Sequence, residues 1–249
     1  MIDVNCFVGA YPFRELPHPE PAVLVRVLER EGLERAWVGH LPTAFHRDVG
    51  AGNDALFAAL EPHRATLDPV PAIRPDWPHW ERALAAVHGR GARAIRAYPM
   101  QWGMGPHDAR MAKLAGACGE MGVPLILTTR FEDVRQRSAL DAAGDLTAAH
   151  IRAIARADGR AQVIVTSPGR ALIEESHWGL TPDERSRLQW DISWIWGPPE
   201  DDLAHLLRTV GADRFVFGSA WPLRLVQSPM ANLALLPDDM RRTRLAELT

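Results

Sequence analysis

The stretch of chain that decides the fold runs from Met111 to Thr129 and reads MAKLAGACGEMGVPLILTT. Its first half carries apolar side chains near helical spacing, at Met111, Leu114, Cys118 and Met121. Gly122 follows, and the apolar run Leu125-Ile126-Leu127 begins shortly afterwards. A glycine just past a helix can adopt the left-handed conformation that closes the last turn without a Cβ clash. The stretch therefore predicts a helix, a glycine cap and a buried strand, which form the αβ half of a βαβ unit.

This pattern recurs along the chain, each time with a glycine before an apolar run. The other copies are Gly32 before Ala36-Trp37-Val38, Gly91 before Ala94-Ile95-Arg96, Gly159 before Val163-Ile164-Val165 and Gly211 before Phe215-Val216-Phe217. The candidate strands cover residues 2–7, 36–40, 68–73, 93–98, 124–129, 162–166, 188–193 and 214–218. Eight βα units in 249 residues predict an α/β fold with one domain over residues 1–249, a (β/α)8 TIM barrel.

A doubly wound open sheet is the alternative architecture. It usually has fewer strands, and no G-x-G-x-x-G follows the first candidate strand. Residues 41–63 are longer than a usual βα loop and include Gly50-Ala51-Gly52-Asn53. We therefore expect this segment to form a loop over one mouth of the barrel.

Composition narrows the classes of partner. The net charge is −3, so no global field attracts nucleic acid or acidic membranes. No apolar run approaches the roughly 18 residues of a membrane span, and the amino terminus lacks the basic and apolar segments of a secretory signal. Cys6 and Cys118 form no C-x-x-C pair, which suits a reducing compartment. We expect a cytoplasmic globular protein whose partner is a small molecule.

In a barrel of this type, chemistry belongs at the carboxyl ends of the strands. Arg96 lies at the end of the fourth candidate strand and Arg14 beyond the first, and both are predicted to hold a substrate carboxylate bidentately. Asp191, paired with His40 or His46, is predicted to act as the acid–base group. The alternative is that His40 bonds a neighbouring loop and that Asp191 accepts hydrogen bonds from the barrel rim.

Two further features complete the predicted binding site. Asn5 and Thr128 lie at the ends of strands one and five, where they are predicted to orient a water or a carbonyl group. Four tryptophans gather at the ends of strands seven and eight: Trp190, Trp194, Trp196 and Trp221. Aromatic walls suit a pocket for a flat organic molecule, and Trp221 is the predicted binding residue. The alternative is that these rings seal the end of the barrel.

Three segments carry a resemblance to a known family. Ile2-Asp3-Val4-Asn5-Cys6-Phe7 is similar to a D-x-H-x-H strand, Phe217-Gly218-Ser219-Ala220-Trp221-Pro222 to F-G-S-D-x-P, and residues 91–99 to a fourth strand ending in Tyr98-Pro99. Together they resemble the barrels of the amidohydrolase superfamily, in its amidohydrolase-related branch of hydrolases and decarboxylases, in order and spacing over most of the chain. The resemblance implies a (β/α)8 barrel that acts on a small substrate with a divalent metal.

The resemblance also implies five metal-ligand positions, and this chain departs from the family at all of them. They fall on Asn5, Phe7, Thr128, Ser167 and Ala220. Zinc requires three or four imidazole, thiolate or carboxylate ligands, so we expect no tightly bound metal and no other cofactor. A weakly bound divalent metal such as zinc, at a site rebuilt around His40, His46, His177 or Asp191, is the alternative. Lys113, the only lysine, lies in a helical segment, which argues against a lysine-bridged metal pair or a Schiff base.

Two functions follow from these observations. The first is an amidohydrolase-like hydrolase, or a nonoxidative decarboxylase, of a small carboxylated or cyclic organic substrate, working without the usual metal-ligand set. The second is a catalytically inactive barrel that binds a small anionic ligand or a protein partner. The resemblance further implies a homodimer formed through barrel helices.

Overall fold

The computed structural model describes residues 1–240 and 243–248. Its strands are β1 (Ile2–Val8), β2 (Arg35–His40), β3 (Leu67–Pro69), β4 (Ile95–Ala97), β5 (Leu125–Thr128), β6 (Val163–Thr166), β7 (Leu188–Asp191) and β8 (Phe215–Val216). Its α-helices are α1 (Pro21–Glu31), α2 (Gly50–Leu60), α3 (Trp80–Gly89), α4 (Ala109–Met121), α5 (Ala148–Ala157), α6 (Arg170–Trp178), α7 (Pro182–Ser186), α8 (Asp202–Leu206) and α9 (Gln227–Ala234). The chain alternates strand and helix, as predicted.

The strands close into a ring. Parallel pairing runs in the order β1-β2-β3 and β4-β5-β6-β7-β8. Parallel bridges between Ala72 and Arg96 and between Cys6 and Trp221 join the two groups. Backbone hydrogen bonds support both joints, from Arg93 N to Pro69 O (2.9 Å) and from Val4 N to Phe217 O (3.0 Å). The prediction of a (β/α)8 barrel is confirmed, and the open doubly wound sheet is wrong.

The glycine pattern is confirmed at the ends of α1 and α4. Gly32 has φ 69° and Gly122 has φ 66°, and each cap amide donates to a carbonyl of the last helical turn. Gly159 does not cap α5, because the extended Asp158 ends that helix. The Asp158 carboxylate accepts from the backbone N–H of Arg160 at 2.8 Å, and this local bond replaces the left-handed cap.

The expectation of a long loop over residues 41–63 is wrong, because Gly50-Ala51-Gly52-Asn53 begin helix α2. The Asp48 carboxylate accepts from the backbone N–H of Gly50 at 2.8 Å just before the helix. A Cβ atom on Gly52 would lie only 2.0 Å from Thr43 Oγ1. That glycine therefore permits close packing of a helix rather than flexibility of a loop.

The barrel interior is divided into layers. The amino-terminal end of the barrel holds an apolar cluster of Val4, Trp37, Val70, Ala94, Ile126, Ile164 and Val216, which we call the basal cluster. Toward the carboxyl ends of the strands the interior becomes polar, with Asn5, Arg96, Thr128, Thr166 and Asp191 all buried. The fold therefore delivers the predicted polar residues to one layer inside the barrel.

Candidate functional site

A hydrogen-bonded chain of side chains crosses this polar layer. Arg96 Nη1 donates to Asn5 Oδ1 at 2.9 Å and to Thr128 Oγ1 at 3.1 Å. Asn5 Nδ2 in turn donates to Asp191 Oδ2 at 2.7 Å. Asn5 therefore links the guanidinium to the carboxylate through one amide, and four of the predicted site residues lie together.

Asp191 is fully buried and its carboxylate is well supplied with donors. Oδ1 accepts from the backbone N–H of Ser167 at 2.8 Å and from Ser193 Oγ at 2.9 Å. Burial raises the pKa of Asp191 to about 6, against the opposing effect of the hydrogen bonds from Ser167, Ser193 and Asn5. A carboxyl group with a pKa in this range can hold or release a proton near neutral pH, as the acid–base prediction requires.

Arg96 is not at the barrel mouth but inside it, with no exposed surface. Its guanidinium carbon lies 4.5 Å from the centre of the Phe7 ring, and Nη2 donates weakly to the Val4 carbonyl at 3.4 Å. Burial lowers the pKa of Arg96, while the charges of Tyr98 and Asp191 oppose that shift. The guanidinium is therefore held inside the barrel by Asn5 and Thr128 and is not exposed at the mouth. Direct binding of a substrate carboxylate by Arg96 stays a prediction.

The residues of this layer do not fit a divalent metal. Asn5 and Thr128, two of the positions where the resemblance implies metal ligands, instead accept hydrogen bonds from Arg96. Phe7, a third such position, presents its ring to the same guanidinium. Across residues 1–240 and 243–248, no group of three or more His, Cys, Asp or Glu side chains is placed to bind an ion. A cation of the protein itself therefore occupies the centre of the barrel.

The structure does not form the predicted pair of His40 and Asp191. His40 Nδ1 bonds Thr43 Oγ1 at 2.8 Å, and burial followed by the charge of His46 lowers the pKa of His40. The partners of Asp191 are Asn5, Ser167 and Ser193. His40 stands at the end of β2 and turns into the short helix Leu41–Phe45, so it supports a loop.

An aromatic group, which we call the aromatic cap, lies between the polar layer and the mouth. It consists of Phe7, Tyr11, Phe45, Tyr98 and Phe131. Phe131 is its centre, with ring centroids 5.8 Å from Phe7, 5.6 Å from Tyr98 and 5.3 Å from Phe45. Because Phe7 contacts the Arg96 guanidinium from the other side, the cap covers the polar layer.

Beside the cap, a cavity of about 240 Å³ opens at the mouth. Its walls include Arg14, Glu132, Trp194, Trp196 and Arg224. The Arg14 Nε atom pairs with Glu132 Oε1 at 2.5 Å, and Arg135, a third lining arginine, pairs with Asp133 at 2.8 Å, so two of the three arginines are neutralised. We call this space the mouth cavity.

Arg224 has a different environment from Arg14. Its guanidinium carbon lies 4.4 Å from the Trp194 ring centre and 5.5 Å from that of Trp196. Across the described residues it takes part in no ion pair, and burial lowers its pKa. The buried Nε1 of Trp194 likewise has no hydrogen-bond partner within the described part of the chain. The mouth cavity thus offers, in Arg224, a cation that an anionic ligand can satisfy.

The predicted tryptophan cluster divides into two pairs. Trp194 and Trp196 line the mouth cavity, as a binding role requires. Trp190 and Trp221 are buried in the core, and the Trp221 carbonyl accepts from Phe7 N at 2.7 Å. The backbone of Trp221 closes the β8–β1 joint of the barrel, and Trp221 is not among the residues that line the mouth cavity. Its contact with a ligand stays a prediction.

The strand-end argument missed Glu132 and Phe131, which lie in the connection between β5 and α5. The same argument gives no reason to single out Arg224. The one sequence signal that could have found Arg224 is its position three residues after Trp221, in the segment that follows β8. Its stacking on two indole rings depends on the conformation of a loop, which the hydrophobic periodicity of the sequence does not predict.

Comparison with known proteins places the fold. No protein-family profile and no curated protein sequence matches the chain. Solved structures do match, among them a dihydroxybenzoic acid decarboxylase from Polaromonas sp. JS666 with bound manganese and an inhibitor (TM-score 0.67, 13% identity, 97% of this chain and 93% of that chain). An amidohydrolase from Mycobacterium avium subsp. paratuberculosis (TM-score 0.62, 18% identity, 92% and 73%) and a TIM-barrel protein from Bordetella bronchiseptica (TM-score 0.67, 15% identity, 98% and 95%) also match.

The fold is the (β/α)8 barrel, which this chain shares over nearly its whole length with these solved structures, a hydrolase and a decarboxylase among them. The resemblance found in the sequence is confirmed at the level of the fold. In this barrel the polar layer lies under an aromatic cap, and the accessible charged groups lie in the mouth cavity. None of the helices in residues 1–240 and 243–248 has the length and apolar character needed to cross a bilayer.

Proposed function

We propose that this amidohydrolase-type barrel binds a small, flat organic acid in the mouth cavity and does so without a catalytic metal. The observation that carries the proposal is Arg224, whose guanidinium stacks on Trp194 and Trp196 and takes part in no ion pair among the described residues. A guanidinium held against aromatic faces is preorganised to bind a carboxylate, and the indoles provide walls for a planar ring. The aromatic acid named for the Polaromonas decarboxylase belongs to this chemical class.

A second candidate is catalysis, as a metal-independent hydrolase or nonoxidative decarboxylase of a small carboxylated or cyclic substrate. Its support is Asp191, whose pKa of about 6 suits proton transfer, together with the fold shared with hydrolases and decarboxylases. We rank it second because the Asp191 carboxylate is fully buried and already accepts bonds from Asn5, Ser167 and Ser193.

Calorimetric titration with 2,6-dihydroxybenzoate, and with resorcinol as the analogue lacking the carboxylate, tests the binding proposal. We expect 2,6-dihydroxybenzoate to bind and resorcinol to bind at least tenfold more weakly. Arg224→Gln should lower the affinity for 2,6-dihydroxybenzoate at least tenfold, because a charged hydrogen bond contributes about 1.5–3 kcal/mol. Trp194→Leu should also weaken binding. Arg26→Gln, at an exposed position on α1, is the matched control and should bind like the wild type.

Equal affinity of wild type and Arg224→Gln, or no binding of benzoates at millimolar concentration, would contradict this proposal. The same samples separate the two candidates, because product release can be followed by chromatography. Turnover by the wild type that is lost in Asp191→Asn, while the acid still binds, would favour the decarboxylase or hydrolase. Binding without turnover would favour the inactive barrel.

We also propose that the chain works in the cytoplasm, where Cys6 and Cys118, both free and buried, would stay reduced. The proposed ligand is a small molecule, and its binding in the mouth cavity involves no partner protein. The homodimer implied by the resemblance stays a prediction, and light scattering of the purified protein would test it.

A further inference from the structure

A second cavity, of about 580 Å³, lies at the opposite end of the barrel from the mouth. We call it the basal cavity. One side is formed by Ile2, Val4 and Val216, at the amino-terminal ends of β1 and β8. The other side is formed by residues 243–248, which cross beneath the barrel. Its volume falls within the range of about 300–1,000 Å³ that small-molecule sites occupy.

The walls of the basal cavity are mainly apolar. Eleven of the fifteen described residues that line it carry hydrophobic side chains. Val4 and Val216 also belong to the basal cluster, so the cavity is continuous with the apolar interior of the barrel. Apolar cavities stay dry and bind apolar molecules, and a cavity of about 150 Å³ already binds benzene. This lining therefore favours a hydrophobic ligand several times larger than one ring.

The charges of the described residues that line the basal cavity balance one another. The Met1 ammonium group pairs with Glu34 at 2.8 Å, and the remaining charged lining residues among residues 1–240 and 243–248 are one arginine, Arg244, and one glutamate, Glu247. This balance contrasts with the mouth cavity, where Arg224 takes part in no ion pair within the described part of the chain. The described lining therefore provides no excess charge that would select an anion or a cation.

From these observations we infer that the basal cavity is a binding site for an uncharged apolar molecule, of the size of an aliphatic chain or a fused-ring hydrocarbon skeleton. The floor that such a ligand would contact is attached to the barrel by its backbone, because Ala246 N donates to the Phe215 carbonyl at 2.7 Å. Ala246 and Leu248 pack against the basal cluster. Side chains on this floor can therefore be replaced while the bond that attaches it is kept.

Fluorescence titration with N-phenyl-1-naphthylamine, an uncharged probe that brightens in apolar surroundings, tests this inference on the full chain. We expect saturable binding of one probe per chain, and at least a tenfold weaker affinity in Ala246→Phe, because the added ring fills the cavity. Ala231→Phe is the matched control, since Ala231 is exposed on α9 and does not line the cavity. Leu245→Asn adds a polar amide to the lining and should also lower the affinity for the probe. It serves as a second variant if Ala246→Phe fails to fold.

The two cavities are distinguished by cross-titration. Arg224→Gln should leave probe binding unchanged, and 2,6-dihydroxybenzoate should not displace the probe, so this inference does not depend on the function proposed for the mouth cavity. The absence of saturable probe binding in the wild type would overturn the inference. Equal affinity of Ala246→Phe, Leu245→Asn and wild type would overturn it as well, because the probe would then be bound elsewhere.

Discussion

At the scale of single residues, Arg96 supplies the positive charge and the central hydrogen-bond donor of the barrel interior. Replacing it by methionine removes the donor to Asn5 and Thr128 and one of the two guanidinium groups whose charge acts on the buried Asp191. Each hydrogen bond to a charged group contributes about 1.5–3 kcal/mol, so we expect Arg96→Met to lower the free energy of unfolding by about 3–5 kcal/mol. Arg96→Lys keeps the charge but not the planar fork and should recover only part of the loss.

Urea unfolding monitored by tryptophan fluorescence would measure both variants, with Arg26→Met at an exposed position on α1 as the control. A loss below about 1 kcal/mol in Arg96→Met, typical of a surface substitution, would contradict the interior role of this residue.

Asp191 gives a pH-dependent prediction whose sign follows from its raised pKa. Burial raises the pKa of Asp191 from 3.8 to about 6, so the folded protein keeps this proton up to about pH 6 while the unfolded chain releases it near pH 4. The Asp191 contribution therefore lowers the free energy of unfolding as pH rises from about 4 to 6, and no further above that. Asp191→Asn lacks this contribution, so its unfolding free energy relative to wild type should rise over this window by on the order of 2–3 kcal/mol.

Denaturant titrations of both proteins between pH 4 and 7.5 would show this relative change. The shifted pKa of Asp3 contributes to both proteins and cancels in the comparison. Parallel stability curves across the window would show that Asp191 titrates normally in the folded chain.

Residue positions could be predicted from the sequence where a strand fixes them. Asn5 and Arg96 lie within strands and Thr128 and Asp191 at strand ends, and parallel strands of a barrel bring such positions into one layer. Arg14, His40 and Trp221 lie at or beyond strand ends, where loop geometry directs each side chain. Arg14 does reach the mouth cavity, but it is paired with Glu132, a residue that strand spacing does not reveal.

At the scale of elements, Asn53 joins α2 to the end of β3. Its Nδ2 atom donates to the Ala72 carbonyl and its Oδ1 atom accepts from the Ala72 N–H, both at 2.8 Å. Asn53→Ala would leave two buried backbone groups unpaired, so we expect a loss of about 2–4 kcal/mol in unfolding free energy. Asn232→Ala, which removes a single half-buried bond to the Ile195 carbonyl, is the matched comparison and should cost about 1 kcal/mol.

Thermal and urea unfolding of the two alanine variants would test this difference. Equal losses would show that the paired bonds of Asn53 add nothing beyond one ordinary hydrogen bond.

The sequence predicted strands and helices well where the residue types and the spacing of the apolar residues indicate the same element. Five of the eight strands were found from an apolar run after a glycine, because strands buried on both faces carry few polar residues. Helix α2 was missed because two glycines and an asparagine normally indicate a turn. Here tertiary contacts decide otherwise: Gly52 allows close approach to Thr43, and Asn53 satisfies backbone groups that β3 leaves unpaired.

At the scale of the whole molecule, ring closure explains why the fold could be predicted and the accessible site could not. Eight βα units of regular spacing can bury their strands by closing a barrel. The aromatic cap is assembled from β1 and from connections after β1, β2, β4 and β5, which share no period in the sequence. Only the closed ring brings Tyr11, Phe45 and Phe131 together over the polar layer. The same closure forms the boundary of the mouth cavity.

The metal content of the purified protein is the last prediction, because it depends on the whole interior. Asn5, Phe7 and Thr128 surround the Arg96 guanidinium, and a divalent ion placed there would meet a fixed positive charge and no imidazole or thiolate. Protein expressed with zinc, manganese and iron supplied should therefore contain well under one equivalent of metal after dialysis. Treatment with a chelator should leave its unfolding temperature unchanged.

Arg96→Met provides the control for this prediction, since removing the guanidinium alone leaves an amide and a hydroxyl and should not create a metal site. Near-stoichiometric metal in the wild type, with a chelator-dependent fall in unfolding temperature, would contradict the placement of Arg96 as the interior cation. Metal that is bound without affecting stability would instead indicate a surface site, and analysis of His40→Ala, His46→Ala and His177→Ala would locate it.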